Sequence, residues 1–168
     1  MRLREIDKAR YRKHLRIVLA GIVTALAIFS LSTSTLFIYL FSTPEAQHFW
    51  YNLAGVAAAV VIISFALHKL RSHPFLIEVV YVWDLKQQLN RIYRKQRKIE
   101  TAVESNDHNA MIIMNFLYRG SKQLYELDDN TITMEGLDSR IRILEKRMET
   151  AGLSLSTDSY EPAMLGRF

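Results

Sequence analysis

Five histidines are the residues of this sequence best suited to metal or acid–base chemistry: His14, His48, His68, His73 and His108. A zinc site on one helix needs two histidines about four residues apart, and no pair has that spacing. The sequence contains no cysteine, which excludes disulfides, thiolate metal sites and a cysteine nucleophile. The sequence therefore predicts no metal site, although a Ser-His-Asp set assembled by the fold stays open at this point.

The pair Asp128-Asp129 is the other candidate for cation binding. It lacks the further acidic positions of a calcium loop, so we interpret it as a turn that ends a helix. The six glycines are scattered singly and form no phosphate-binding loop. We predict a protein that is not an enzyme, with no catalytic residue, no cofactor and no indicated small-molecule substrate.

The composition resembles that of a soluble domain, with 168 residues, 49% of them hydrophobic, and a mean hydropathy of +0.00. That average hides two uncharged stretches, residues 17–41 and 49–67. Each is close to the roughly 20 apolar residues that a helix needs to cross a bilayer. Two buried core helices would be the alternative, but the remaining chain is too short to cover them. A cleaved signal peptide is disfavoured because the first stretch exceeds an h-region of about 7–15 residues.

The charges around these stretches predict an orientation. Residues 1–16 carry seven basic and two acidic side chains, and residues 68–100 carry eight and three. The connecting residues 42–48 carry one acidic side chain and form only a short external loop, opened by Thr43-Pro44. The positive-inside rule then predicts a two-helix transmembrane hairpin with both termini in the cytoplasm.

Small residues recur at four-residue spacing inside both predicted spans: Gly21 with Ala25, and Gly55 with Ala59. This spacing lets helix backbones approach closely, within the hairpin or between subunits of a homo-oligomer. The hydroxyl-rich segment 30–35 either bonds to backbone carbonyls or lines a polar path for transport. Neither span contains Asp, Glu, Lys, Arg or His, which disfavours ion-coupled transport.

Residues 68–153 are predicted to form a small cytoplasmic antiparallel bundle of three helices, so the fold class is all-α. A β-branched and aromatic run within 75–83 permits a strand, but a heptad-like apolar series continues from it and favours helix. The series is Val82, Leu85, Leu89, Ile92, Gln96, Ile99 and Val103. A second helix is expected from about His108 after the capping segment 105–107, with Gly120 at a close contact or a kink. Thr133 is expected to cap the third helix, and residues 154–168 to form an irregular tail.

The first of these helices has a basic face over residues 86–98: Lys86, Arg91, Arg94, Lys95 and Lys98. A solvated face that also orients the hairpin is one interpretation. The other is contact with anionic lipid headgroups, which attract basic side chains near the surface. Nucleic-acid binding is not expected, because the interleaving of Arg91, Tyr93 and Arg94 is accompanied by no recognised module.

Four stretches resemble a known family: "EIDKARYRKHL", "HPFLIEVVYVWDLKQQLNRIYRKQRKI", "NFLYRGSKQLYELDDNTIT" and the closing "PAMLGRF". The chain resembles a proteobacterial family of small two-span membrane proteins of unknown function. The resemblance implies a location in the bacterial inner membrane. It implies no activity, cofactor or site residue.

From these patterns we predict a non-enzymatic integral membrane protein that tethers a helical cytoplasmic domain as an interaction or scaffolding subunit. Membrane lipid, another membrane protein or a second copy of the chain are the expected partners. The alternatives are a sensor of anionic lipid acting through the basic helix 86–98, and a small transport or channel subunit.

Overall fold

The computed structural model describes residues 2–43, 48–130 and 134–168. Every regular element in these ranges is helical, as the all-α prediction requires. The run at 75–83 is not a strand, because a helix begins at Ile77. The α-helices are α1 Lys8–Phe41, α2 Phe49–Leu70, α3 Ile77–Tyr93, α4 Gln96–Glu104, α5 His108–Leu127 and α6 Met134–Thr150.

The chain divides into two compact units, and the division falls inside α3 between residues 80 and 81. The helix-pair unit comprises residues 9–80 and contains α1 and α2. The helical domain comprises residues 81–168 together with residues 2–8.

Within the helix-pair unit, α1 and α2 are long and apolar enough to cross a membrane. They contact each other through hydroxyl groups and small residues. The Thr33 hydroxyl donates to the carbonyl of Gly55 at 2.9 Å, and the Ser34 hydroxyl donates to the carbonyl of Asn52 at 3.3 Å. A Cβ atom at Gly55 would stand only 2.8 Å from the Cα of Ser34, so glycine is needed for this approach.

The core of the helical domain is built around α5. Five consecutive side chains of this helix are almost fully buried, from Ile113 to Leu117. A helix that is apolar on most sides must be covered on most sides, and α4 and α6 both pack on it. Gly120 lies at a close contact, since a Cβ there would stand 3.0 Å from Leu89.

Helix ends in this domain follow local capping chemistry. The Asp107 carboxylate accepts a hydrogen bond from the amide of Ala110 at 2.9 Å, which satisfies one free N–H in the first turn of α5. After α6, Gly152 adopts a φ of +67°, a conformation that glycine reaches without a Cβ clash. The predicted cap Thr133 and the predicted turn residue Pro44 lie outside the described residues.

The structure differs from the sequence-based expectation at two places. The segment expected as one helix through residues 82–103 is broken between Tyr93 and Gln96. The described residues of 68–153 therefore contain four α-helices, α3 to α6, where three were predicted. The break falls at Arg94 and Lys95, and α4 begins at Gln96, the one polar residue in the apolar series, whose amide donates to Glu100. The tail also contains regular structure, with 3₁₀ helices at Thr157–Ser159 and Pro162–Arg167.

Candidate functional site

The basic residues predicted to contact lipid are divided by the helix break. Lys86 and Arg91 belong to α3, Arg94 and Lys95 lie in the break between α3 and α4, and Lys98 lies in the first turn of α4. Residues 86–98 are therefore not one continuous helix, and the five side chains do not form one uninterrupted basic face.

Three of these five side chains hold other parts of the helical domain. The Lys86 ammonium group lies 3.0 Å from a carboxylate oxygen of Asp128. Lys95 donates to the carbonyl of Leu165 at 2.8 Å, and Lys98 donates to the carbonyl of Phe168 at 3.3 Å.

Arg91 and Arg94 remain exposed. Lys98 is exposed as well, although its ammonium group donates to the Phe168 carbonyl, so three of the five predicted contacts are accessible to an external anion.

Residues 154–168, the C-terminal strap, pack along the helices. The rings of Tyr160 and Phe116 stack at 4.1 Å, and the Tyr160 hydroxyl accepts a hydrogen bond from the Gln88 amide. Burial raises the pKa of the Tyr160 phenol, while the hydrogen bond from Gln88 acts in the opposite direction. Arg167 lies 3.4 Å from a carboxylate oxygen of Asp107. The sequence signal for this packing was weak, because the tail is short and largely polar.

The N-terminal residues of the domain are also anchored. The amide of Arg4 donates to the Tyr81 hydroxyl at 2.8 Å, and that hydroxyl donates to the Gln123 side chain at 3.0 Å. The Gln123 amide returns a hydrogen bond to the carbonyl of Arg4, and Lys8 pairs with Asp129. Burial raises the pKa of Tyr81, opposed by its bonds with Arg4 and Gln123.

A cleft of about 690 Å³ lies beside these N-terminal residues, with α5 and α6 as its other walls. Its charges are largely matched. Arg119 lies 2.6 Å from Glu145, and Lys122 lies 2.8 Å from Asp138. Paired charges of this kind stabilise the α5–α6 contact modestly and leave the cleft without a dominant sign.

The small residues predicted to pack in the membrane fall into two groups. Gly55 and Ala59 are buried, and Gly55 lies against the backbone of α1 at Ser34. Gly21 is exposed, with no atom within 4 Å of the position of a Cβ, and Ala25 is partly exposed. Gly21 and Ala25 line an apolar groove of about 450 Å³ within the helix-pair unit.

A partly buried charge cluster in the helix-pair unit, in which the Arg10 side chain is exposed, was not predicted from the sequence. Glu78 lies 3.1 Å from the guanidinium group of Arg10 through one oxygen and 3.4 Å from His14 through the other. The ring of His14 packs on Phe75 at 4.0 Å. Arg10 and His14 share one face of α1, but about 65 residues separate them from Glu78, so no local pattern joins the three.

In the part of the chain that the structure describes, no three His, Cys, Asp or Glu side chains are grouped to hold a metal ion. Asp128 and Asp129 instead follow α5 and pair with Lys86 and Lys8.

Comparisons with known proteins extend this picture only to family level. No curated protein and no solved structure matches the chain. A family model described as "Protein of unknown function (DUF3087)" matches residues 1–165. Because the match covers nearly the whole chain, the protein belongs to the DUF3087 family of proteins of unknown function.

Proposed function

We propose that this protein is an inner-membrane interaction or scaffolding subunit, in which α1 and α2 form a transmembrane hairpin and tether the helical domain to the cytoplasmic side. The observation that carries the proposal is the exposure of large apolar side chains along both helices of the helix-pair unit. Val23 is 66% exposed, Leu31 69% and Val61 68%. Apolar surface of this extent is unfavourable in water and is the normal lipid-facing surface of a membrane helix.

The hydroxyl groups of α1 support the same assignment. Thr33 donates within α1 to Phe29 at 2.6 Å and across to Gly55. Such bonds satisfy polar groups that lipid cannot solvate, and they hold the two helices together. Because Thr33 and Ser34 are occupied in this way, they support helix association in preference to the transport alternative.

The helical domain supports the second half of the proposal. It has a core of its own around α5 and anchors both the residues before α1 and the C-terminal strap. A folded domain with a charged exterior, attached to a hairpin that displays little chain on the opposite side, suits the presentation of a surface at the membrane. Exposed Arg91 and Arg94 favour contact with anionic headgroups as a secondary role.

Single-cysteine labelling tests the topology directly, because the sequence supplies a cysteine-free background. Thr43→Cys and Ser154→Cys variants are expressed in a Gram-negative host and treated with a membrane-impermeant maleimide. We expect Thr43→Cys to react in intact spheroplasts and Ser154→Cys to react only after permeabilisation. The cysteine-free chain is the matched control. Reaction of Ser154→Cys in intact spheroplasts, or recovery of the protein in the soluble fraction, would contradict the hairpin.

The interaction role needs a separate test. Ile143 is 59% exposed on α6 and, after Trp83 at 63%, is the most exposed large apolar residue among the described residues of the helical domain. A photoreactive residue at Ile143, with the exposed Arg142 on a different face of the same helix as the control position, is activated in native membranes. We expect a discrete adduct from Ile143 that is weaker from Arg142. Recovery of uncrosslinked monomer alone from both positions would refute an interaction role for this face.

A further inference from the structure

A cavity of about 410 Å³ lies inside the helical domain, at the junction of α3, α4, α5 and α6. Three tyrosine rings form much of its wall, Tyr93 from α3 and Tyr118 and Tyr125 from α5. Leu117 and Leu137 add apolar surface. The volume falls within the range of roughly 300–1,000 Å³ typical of small-molecule sites. A wall of this composition suits a flat apolar body that can stack on aromatic rings.

The helix break and one glycine open this space. Tyr93 is the last residue of α3 and Gln96 the first of α4, so the break places both at the cavity. Gly136 also lines it, with nothing within 4 Å of the position that a Cβ would take. The break that interrupts the apolar heptad series therefore also supplies two residues of the cavity wall, Tyr93 and Gln96.

One positive charge faces the cavity. Arg140 on α6 is exposed and lines the space, and no acidic side chain forms an ion pair with it among the residues that the structure describes. Its charge acts on the phenols of both Tyr93 and Tyr118. A carboxylate also acts on the site: Glu100 influences Tyr118 more strongly than Arg140 does, and it accepts a hydrogen bond from the Gln96 amide at 2.7 Å.

The phenol groups are held as neutral donors. Burial is the largest influence on Tyr93 and Tyr118 and raises the pKa of both, so both keep their protons at neutral pH. The Tyr93 hydroxyl lies 2.8 Å from the Ser121 hydroxyl, which orients it. A guanidinium group and nearby neutral O–H donors are complementary to a carboxylate or a similar anionic group.

We propose that this tyrosine–arginine cavity binds a small aromatic carboxylate, with the ring stacked among Tyr93, Tyr118 and Tyr125 and the carboxylate paired with Arg140. The proposal goes beyond the tethering role and does not depend on it. Three aromatic rings alone would also suit a quaternary ammonium ion, but the guanidinium group of Arg140 repels a cation and favours the anion.

Three probes separate these possibilities in binding experiments on the purified full chain in lipid nanodiscs. Benzoate carries the ring and the charge, benzamide the ring without the charge, and benzyltrimethylammonium the ring with the opposite charge. Ligand-observed NMR titration gives the dissociation constants. We expect benzoate to bind with a dissociation constant on the order of millimolar, as suits a ligand of this size, and more tightly than either other probe.

Substitutions then assign the binding to this cavity. Arg140→Gln is expected to weaken benzoate binding roughly tenfold or more while leaving benzamide binding nearly unchanged, since only the charged contact is lost. Arg142→Gln is the matched control, because Arg142 lies on the same helix but does not line this cavity. Tyr118→Phe keeps the ring and removes one donor, so a smaller loss is expected.

Several results would overturn the proposal. The first is undetectable benzoate binding at a benzoate concentration of about 20 mM. The second is benzyltrimethylammonium binding as tightly as benzoate or more tightly. The third is an equal loss of benzoate affinity in the Arg140→Gln and Arg142→Gln variants. Circular dichroism of each variant checks that the fold is retained. If Arg140→Gln unfolds, Arg140→Lys replaces it and Tyr118→Ala is measured beside it. Benzoate and benzamide affinities that Tyr118→Ala leaves unchanged would then count against the site.

Discussion

Replacing Gly55 by alanine is expected to weaken the α1–α2 contact far more than replacing Gly21. The new Cβ at position 55 would overlap the hydroxyl oxygen of Ser34 and would stand 2.6 Å from its amide nitrogen and 2.8 Å from its Cα. The side chain can rotate, but the backbone atoms cannot move without displacing α1. At position 21 nothing lies within 4 Å, so the same substitution meets open space.

The magnitude follows from these distances. A relaxed carbon–carbon contact needs about 3.5 Å, so the two backbones must separate by roughly 0.7 Å near Ser34. The 2.9 Å bond from Thr33 to Gly55 would then lengthen past hydrogen-bonding range. Overpacking costs about 1–3 kcal/mol, and an interhelical hydrogen bond in a membrane averages about 0.6 kcal/mol. The higher helix propensity of alanine offsets about 1 kcal/mol of this cost, so we expect Gly55→Ala to destabilise the helix pair by about 1–3 kcal/mol.

Thermal unfolding in a mild detergent, followed by the loss of monodisperse protein in size-exclusion chromatography, provides the measurement. Gly21→Ala should match the unsubstituted protein or exceed it slightly, because alanine favours helix over glycine by about 1 kcal/mol. Adding Ser34→Ala to Gly55→Ala should not restore stability, since the amide nitrogen and Cα still clash. Equal melting temperatures for Gly55→Ala and Gly21→Ala would refute this account of the contact.

Three further predictions concern other parts of the chain. Asp107→Ala removes the cap of α5 and should destabilise the helical domain by about 1 kcal/mol in chemical unfolding, whereas Asp107→Asn should cost less; equal losses would exclude capping as the cause. Glu78→Ala removes the carboxylate that Arg10 contacts at 3.1 Å and should lower stability by up to about 1 kcal/mol, because the Arg10 side chain is 57% exposed; the exposed Glu149→Ala is a control expected to have little effect. Burial raises the pKa of Tyr93 and Tyr118 above the ordinary value of 10.0, so the stability that they contribute is complete below about pH 10 and is lost as pH rises through the folded-state pKa. Ultraviolet titration of the native protein should show these phenols ionising later than in denaturant, and coincident titrations would contradict the shift.

Much of the secondary structure was predictable because its signals are local. The apolar stretches 17–41 and 49–67, the cap at Asp107 and the glycine at 152 each act within a few residues of where they stand. The close contact expected at Gly120 was also confirmed, since a glycine inside a helix is tolerated where a neighbouring helix approaches.

The break between α3 and α4 falls at Arg94 and Lys95, just before Gln96, and was not predicted. The heptad series continues across Gln96 with the correct spacing, so periodicity alone favours one helix. The packing of α4 on α5 joins residues far apart in the chain, which a local periodicity does not contain. The same break gives Tyr93 its place at the cavity.

The basic residues illustrate the limit of a one-dimensional charge pattern. Composition predicted a positive segment at 86–98, but the pattern does not contain the partners of its side chains. Lys95 and Lys98 bond to carbonyls about 70 residues further along the chain, at Leu165 and Phe168. A pattern of charges along the chain therefore suggests solvent or lipid as the neighbour of this segment, whereas in the fold the C-terminal strap contacts part of it.

The sequence by itself determined the helical fold class, the two apolar helices and several helix ends, because hydropathy, helical periodicity and capping depend on neighbouring residues. Tertiary structure decided which of those features act together. It paired Gly55 with Ser34, brought Glu78 to Arg10 and His14, and assembled three tyrosines with Arg140 around one cavity. These groupings join residues far apart in the chain, and only the packing of whole helices brings their side chains within reach of each other.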